Sequence, residues 1–195
     1  MYPTFDQIKT LHEKYAPDQR LFDLVFTHCQ IVKTLAQQII EHKKIQINEP
    51  LVYAGALLHD IGTYTFLEQP PEVGIATYYK HPMEGSRILR YENMPEDICN
   101  VVEHHLGVGL SEDQIIKGGL DLPIQDYSPT TIEERLVLYA DKFHSKTPQF
   151  NSYESYCAHA SQYGADSVEK FKKLANEFGI PDIAELAKQY KHPIK

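Results

Sequence analysis

Leu57-Leu58-His59-Asp60-Ile61-Gly62 is the stretch on which the fold turns: an apolar helix ends in two metal-competent side chains, and a glycine follows. Asn48 and Pro50 supply the helix start, because proline loses nothing in a first turn whose N–H groups have no partner. Leu51, Ala54, Leu57 and Leu58 then make the helix almost wholly apolar, which places it centrally in a core. Neighbouring side chains on a helix point about 100° apart, so His59 and Asp60 share one site only at its edge. A carboxylate at that edge can also bridge two metals. The bland alternative is a helix end with a cation-friendly histidine and a turn-forming aspartate before Gly62.

Helical patterns extend from this stretch in both directions. Thr4 with Gln7 resembles a capping box for a first helix carrying Phe5, Ile8, Leu11 and His12 and ending before Pro17. From Asp18, Leu21, Leu24, Val25, Val32, Leu35 and Ile39 recur at three and four, and His28 falls on the same buried stripe. Residues 63–79, with Pro70, Pro71 and Gly74, form an irregular excursion. His81-Pro82 opens the next helix, with Ile88 and Leu89 inward, and Pro95 opens another that ends at His104-His105. A second long loop covers 106–129 with Gly118, Gly119 and Pro123. Thr131 with Glu134 reads as a capping box for a helix of Leu136, Val137, Tyr139 and Ala140, and Asp141 projects from its largely buried surface.

With 195 residues and 42% hydrophobic content, the chain fills one core and needs no second domain. The expectation is a single all-α domain over 1–195, its core about 18–146, with helices of 150–195 packing on it. No period-two strand pattern or internal repeat competes with that class. Cys29, Cys99 and Cys157 are an odd set without a CxxC, which argues against a disulfide framework or zinc ribbon. No leader pattern and no run near the roughly 20 apolar residues of a membrane span are present, so a cytoplasmic, membrane-free protein is expected. The net charge of -8 disfavours nucleic-acid polymers, and a phosphorylated substrate must be attracted locally.

The chemistry-bearing candidates are His28, His59, Asp60, His81, His104, His105 and Asp141. Imidazole and carboxylate without thiolate suit iron, manganese or zinc, and leave magnesium or nickel possible. Taken alone, a histidine on an apolar stripe is more often a hydrogen-bonded core residue than a ligand. An unpaired buried Asp141 is costlier to explain without a partner. His12, His42, His144, His159 and His192 take surface or packing roles, with His144, one turn past Asp141, the one placed to back a ligand. Lys80, Arg87 and Lys142 adjoin candidate positions, Lys142 best of the three as a phosphate contact. Tyr64, Phe66, Tyr78 and Tyr79 flank the first loop, where packing is favoured over stacking on a nucleobase.

At Thr27-His28-Cys29, His59-Asp60-Ile61-Gly62, His81-Pro82, Glu103-His104-His105 and Ala140-Asp141-Lys142 the chain resembles the HD-domain metal-dependent hydrolase superfamily. The resemblance covers roughly residues 21–144. It implies a helical bundle with His28, His59, Asp60 and Asp141 around one metal, and Asp60 bridging to a second held by His81 and His104. His105 is then a further ligand or a substrate contact, and Asp60, His59, His105 and Lys142 are the catalytic candidates. Two divalent cations would activate a water for attack on phosphorus. The expected activity is hydrolysis of a small phosphoester, a nucleotide or dinucleotide foremost. Alternatives on the same ligands are a di-iron oxygenase and a metal-retaining nucleotide-binding or regulatory module. A homodimer through the C-terminal helices is compatible with their pattern.

Overall fold

In a computed structural model, which describes residues 2–67 and 77–195, helix α3 (Glu49–Leu58) is the element the others surround. The Asn48 side chain accepts from the Leu51 N–H and Pro50 sits in the first turn, as the sequence predicts. Around α3 pack α1 (Phe5–Tyr15), the long α2 (Gln19–Lys43), α6 (Glu96–Glu103) and α8 (Ile132–Asp141). Helix α5 (His81–Tyr91) lies against α6. Among the described residues one continuous set of buried apolar side chains runs from Ile8 to Ala187 and forms the core of the bundle.

Two glycines set how closely the central helices approach. A Cβ at Gly55 would strike the Val101 side chain, and one at Gly62 would run into the His81 carbonyl oxygen and the Gly85 backbone. Gly62 therefore does not serve as a left-handed helix terminator. It is there because the backbone beside the His59-Asp60 doublet touches the backbone of α5.

The excursion over 63–79 is helical where it can be followed: α4 (Thr63–Leu67) continues from the doublet, and Tyr78–Lys80 forms a 3₁₀ turn into α5. The expected irregularity at Pro70, Pro71 and Gly74 lies outside the described residues. The loop over 106–129 contains α7 (Glu112–Gly118), started by a reciprocal capping box between Ser111 and Gln114 and closed by Gly119 at φ 59°. At Thr131 only half of the expected box forms: its hydroxyl accepts from the Glu134 N–H, while the Glu134 carboxylate turns to Thr130 and His104.

The fold is helical as expected, with one very short strand pair added. β1 (His144–Ser145) pairs antiparallel with β2 (Gln149–Phe150), too short to leave a readable period. The C-terminal helices α9 (Tyr153–Ala160), α10 (Ala165–Phe178) and α11 (Ala184–Tyr190) follow. α10 packs on α8 through Phe171 and Phe178 against Tyr139, whose hydroxyl donates to the Gly179 carbonyl at 2.7 Å. Among the described residues no helix is long and apolar enough to cross a membrane.

His12 is fully buried, donating to the Leu57 carbonyl at 2.8 Å and lying 2.9 Å from the Tyr64 hydroxyl. Burial pushes its pKa down to about 4 from an ordinary 6.5. Its contribution to stability is therefore complete above the unfolded value and drains away as pH falls from about 6.5 towards 4. Between pH 7.5 and pH 5 the wild type is expected to lose about 2 kcal/mol more unfolding free energy than His12→Gln. Denaturant titrations at the two pH values measure the difference. A second variant, Gly62→Ala, is expected to cost about 3 kcal/mol in the same assay, because rigid backbone faces the new methyl group.

Candidate metal centre

Five elements deliver side chains to one point. α2 contributes His28 from its buried stripe, the end of α3 contributes His59 and Asp60, α5 begins with His81, α6 runs into His105, and α8 ends at Asp141. His59 and Asp60 are fully buried, and His28, His81 and His105 nearly so.

Two groups form around the Asp60 carboxylate. Its Oδ2 lies 3.1 Å from His28 Nε2 and 3.3 Å from His59 Nε2, while Asp141 Oδ1 approaches the same nitrogens at 3.0 and 3.3 Å. The other oxygen, Oδ1, lies 3.2 Å from His81 Nε2 and 3.6 Å from His105 Nε2. Metal–ligand bonds of about 2.1 Å place adjacent ligands about 3.0 to 3.4 Å apart, and all of these spacings but that of His105 fall in this range, as suits side chains gathered to hold a cation.

The hydrogen positions give the stronger argument. Carbonyl oxygens only accept, so His59 Nδ1 donates to Ala56 at 2.8 Å, His81 Nδ1 to Tyr78 at 2.6 Å and His105 Nδ1 to Val102 at 2.6 Å. Burial lowers the pKa of His81 and pushes that of His105 down to about 3, which keeps both rings neutral. Their Nε2 atoms are then bare, yet stand 3.0 Å apart and face Asp60 Oδ1. Three acceptors converge with no hydrogen among them, and a cation is what such a pocket fits. In the other group, burial disfavours charge on His59, but Asp60 beside it holds the ring's pKa well above normal. Burial likewise opposes ionisation of Asp60 and Asp141, and neighbouring lysines and histidines still hold both well below the usual carboxylate range.

His104 does not join either group. Its Nδ1 lies 2.9 Å from Glu134 Oε2, tying the end of α6 to the start of α8, and His105 stands where His104 was expected. Helical spacing contains the reason: Ile98, Val101 and Val102 are buried, and His105, not His104, continues that stripe. Lys142 reaches the site from behind, donating to Asp141 Oδ2 at 2.6 Å and to the His105 carbonyl at 3.0 Å. Lys80 pairs instead with Asp121, and Arg87 with Glu84.

Lys146, unmarked by sequence reasoning, donates to Asp60 Oδ2 at 2.5 Å from the turn between β1 and β2. Burial opposes its charge, but Asp60 keeps its pKa well above the usual lysine value. No pattern preceded it, because the hairpin that carries it left none. Thr63 donates to Asp60 Oδ1 at 3.1 Å and lies 3.2 Å from the Tyr78 hydroxyl. Tyr78 stacks on His81, Tyr64 packs on His12, and Phe66 meets Tyr78 edge-on, so these aromatics pack as expected.

The family described as HD domain matches residues 25–146. Curated relatives include tRNA (cytidine(56)-2'-O)-methyltransferases of Picrophilus torridus, 30% identical over 84% of this chain and 47% of that protein, and of Thermoplasma volcanium, 33% identical over 78% and 41%. An uncharacterized protein of Methanocaldococcus jannaschii is 34% identical over 60% of this chain and 64% of its own length. The chain thus spans less than half of the two methyltransferases. Among solved structures, the HD domain of the L. monocytogenes phosphodiesterase PgpH superposes with a TM-score of 0.54 at 17% identity, covering 94% of this chain and 98% of that one. Its complex with cyclic-di-AMP superposes equally well, at 17% identity and a TM-score of 0.54 over 96% and 99%.

His105→Ala is expected to lower the Mn(II) retained after desalting, and His104→Ala to leave it unchanged. Elemental analysis of the purified variants checks both.

Proposed function

This chain belongs to the HD-domain family, and we propose that it is a metal-dependent phosphohydrolase acting on a small phosphoester, with a nucleotide or dinucleotide as the substrate class. The observation that carries this reading is the convergence of four imidazole Nε2 atoms, those of His81 and His105 bare, on the two oxygens of one buried carboxylate. His28, His59, Asp60 and Asp141 would hold one divalent cation, and Asp60, His81 and His105 a second. Iron or manganese suits this nitrogen and oxygen set, with zinc, magnesium or nickel also compatible. Bound there, such ions supply an acidified water and neutralise charge on the phosphoryl oxygens.

The protein's own residues do the rest. Carbonyl oxygens of Ala56, Tyr78 and Val102 fix three imidazoles with Nε2 inward, so no tautomer change is needed on loading. Lys142 braces Asp141 and ties it to the end of α6, which makes it a positioning residue. Lys146 sets its ammonium on Asp60 Oδ2 at the end of a side chain that is 22% exposed. It supplies the local positive charge that a chain of net charge -8 needs to attract a phosphate.

The PgpH domain's complex with cyclic-di-AMP supports a nucleotide substrate. The methyltransferase name belongs to proteins of which this chain matches less than half.

A screen of nucleotides, dinucleoside polyphosphates and cyclic dinucleotides with each candidate metal, run with and without oxygen, tests the reading. Hydrolysis independent of oxygen is expected, and metal-loaded protein that cleaves no phosphoester would overturn it. Asp60→Asn is expected to strip metal from both groups and reduce turnover to background. Lys146→Met should keep its metal and lose about 10- to 100-fold in kcat/KM, the loss expected for one charge-assisted hydrogen bond to phosphate.

A further inference from the structure

Three imidazoles run in line from the candidate metal centre towards the surface. His28 Nδ1 lies 2.8 Å from His144 Nδ1, and His144 Nε2 lies 2.9 Å from His192 Nδ1. Successive rings stack at 24° and 21°. His28 and His144 are buried, whereas His192 is half-buried. The outer ring is held by the C-terminal segment. Lys191 turns the chain out of α11 at φ 56°, and the His192 N–H donates to the Ala187 carbonyl. The tail then lies along β2: the Phe150 N–H donates to the Pro193 carbonyl, the Lys195 N–H to the Phe150 carbonyl and the Ser152 N–H to the Lys195 carbonyl. Phe150 is the strand partner of His144, so the same contacts set His192 behind His144.

We infer that His144 and His192 are positioning residues of the metal centre, which select the tautomer of His28 through this string. The inference rests on His28 being a metal ligand. A ligand needs a bare Nε2 on the side of Asp60 and Asp141, so the His28 hydrogen sits on Nδ1 and is donated to His144 Nδ1. His144 then carries its hydrogen on Nε2 and donates it to His192 Nδ1. Each neutral ring has one hydrogen, so the arrangement runs in one direction only. The acceptor at its outer end is a residue of the C-terminal tail. Without that acceptor, His144 is free to carry hydrogen on Nδ1, which forces the His28 hydrogen onto Nε2, against the metal.

Two substitutions separate this role from simple packing. His192→Asn keeps an acceptor oxygen near the position of Nδ1, and His192→Leu fills similar space without one. In Mn(II) titrations of the full chain, His192→Leu is expected to weaken one binding step by about 10- to 100-fold, and His192→Asn to stay within about threefold of wild type. Imidazole ¹⁵N spectra of the wild type should show the His144 hydrogen on Nε2. Equal Mn(II) affinity in wild type and His192→Leu would overturn the inference, and so would equal weakening in both variants or a His144 hydrogen on Nδ1. Wild-type protein that takes up no Mn(II) would instead sink the metal-centre reading itself.

Discussion

A fully buried carboxylate is the constraint on which this structure depends. Asp60 has no solvent exposure, and an ionised carboxylate in that position is costly by several kcal/mol unless it is surrounded by donors or cations. The fold answers in two ways: Thr63 donates to one oxygen while Lys146 and a charged His59 meet the other, and the Nε2 atoms of His81 and His28 frame room for a cation beside them. These groups come from α2, α3, α4, α5 and the β-hairpin turn. A loosened helix would leave part of the charge uncompensated, which couples the packing of the bundle to the integrity of its centre.

Much of this was legible in the sequence, for a physical reason. His28, the His59-Asp60 doublet and Asp141 lie on or at the end of helices whose apolar stripes point inward, so periodicity alone aims them at the core. The choice between His104 and His105 was also available there, in the stripe of Ile98, Val101 and Val102, and adjacency obscured it. Lys146 was not legible, because it depends on a four-residue ladder that leaves no period and on an ion pair 86 positions apart in sequence. His192 was hidden in the same way, since only the tail's pairing with β2 brings it behind His144.

Net charge misleads about the centre while describing the surface correctly. The chain carries -8 overall, yet Lys142 and Lys146 both face the carboxylates of the candidate site. Acidic residues are spread elsewhere, many in exposed pairs such as Lys117 with Asp113 that contribute little to stability. Positive charge at the centre is therefore a local property, set by where two ammonium groups are held.

The contact between Gly62 and the start of α5 has a consequence for how such a centre can change over time. The separation between the two halves of the site is fixed where main chain meets main chain, at Gly62, the His81 carbonyl and Gly85. Side chains around Asp60 can be exchanged without moving that ruler. A lineage can then trade one side chain for another while the distance between the two groups that share Asp60 is kept by the main chain.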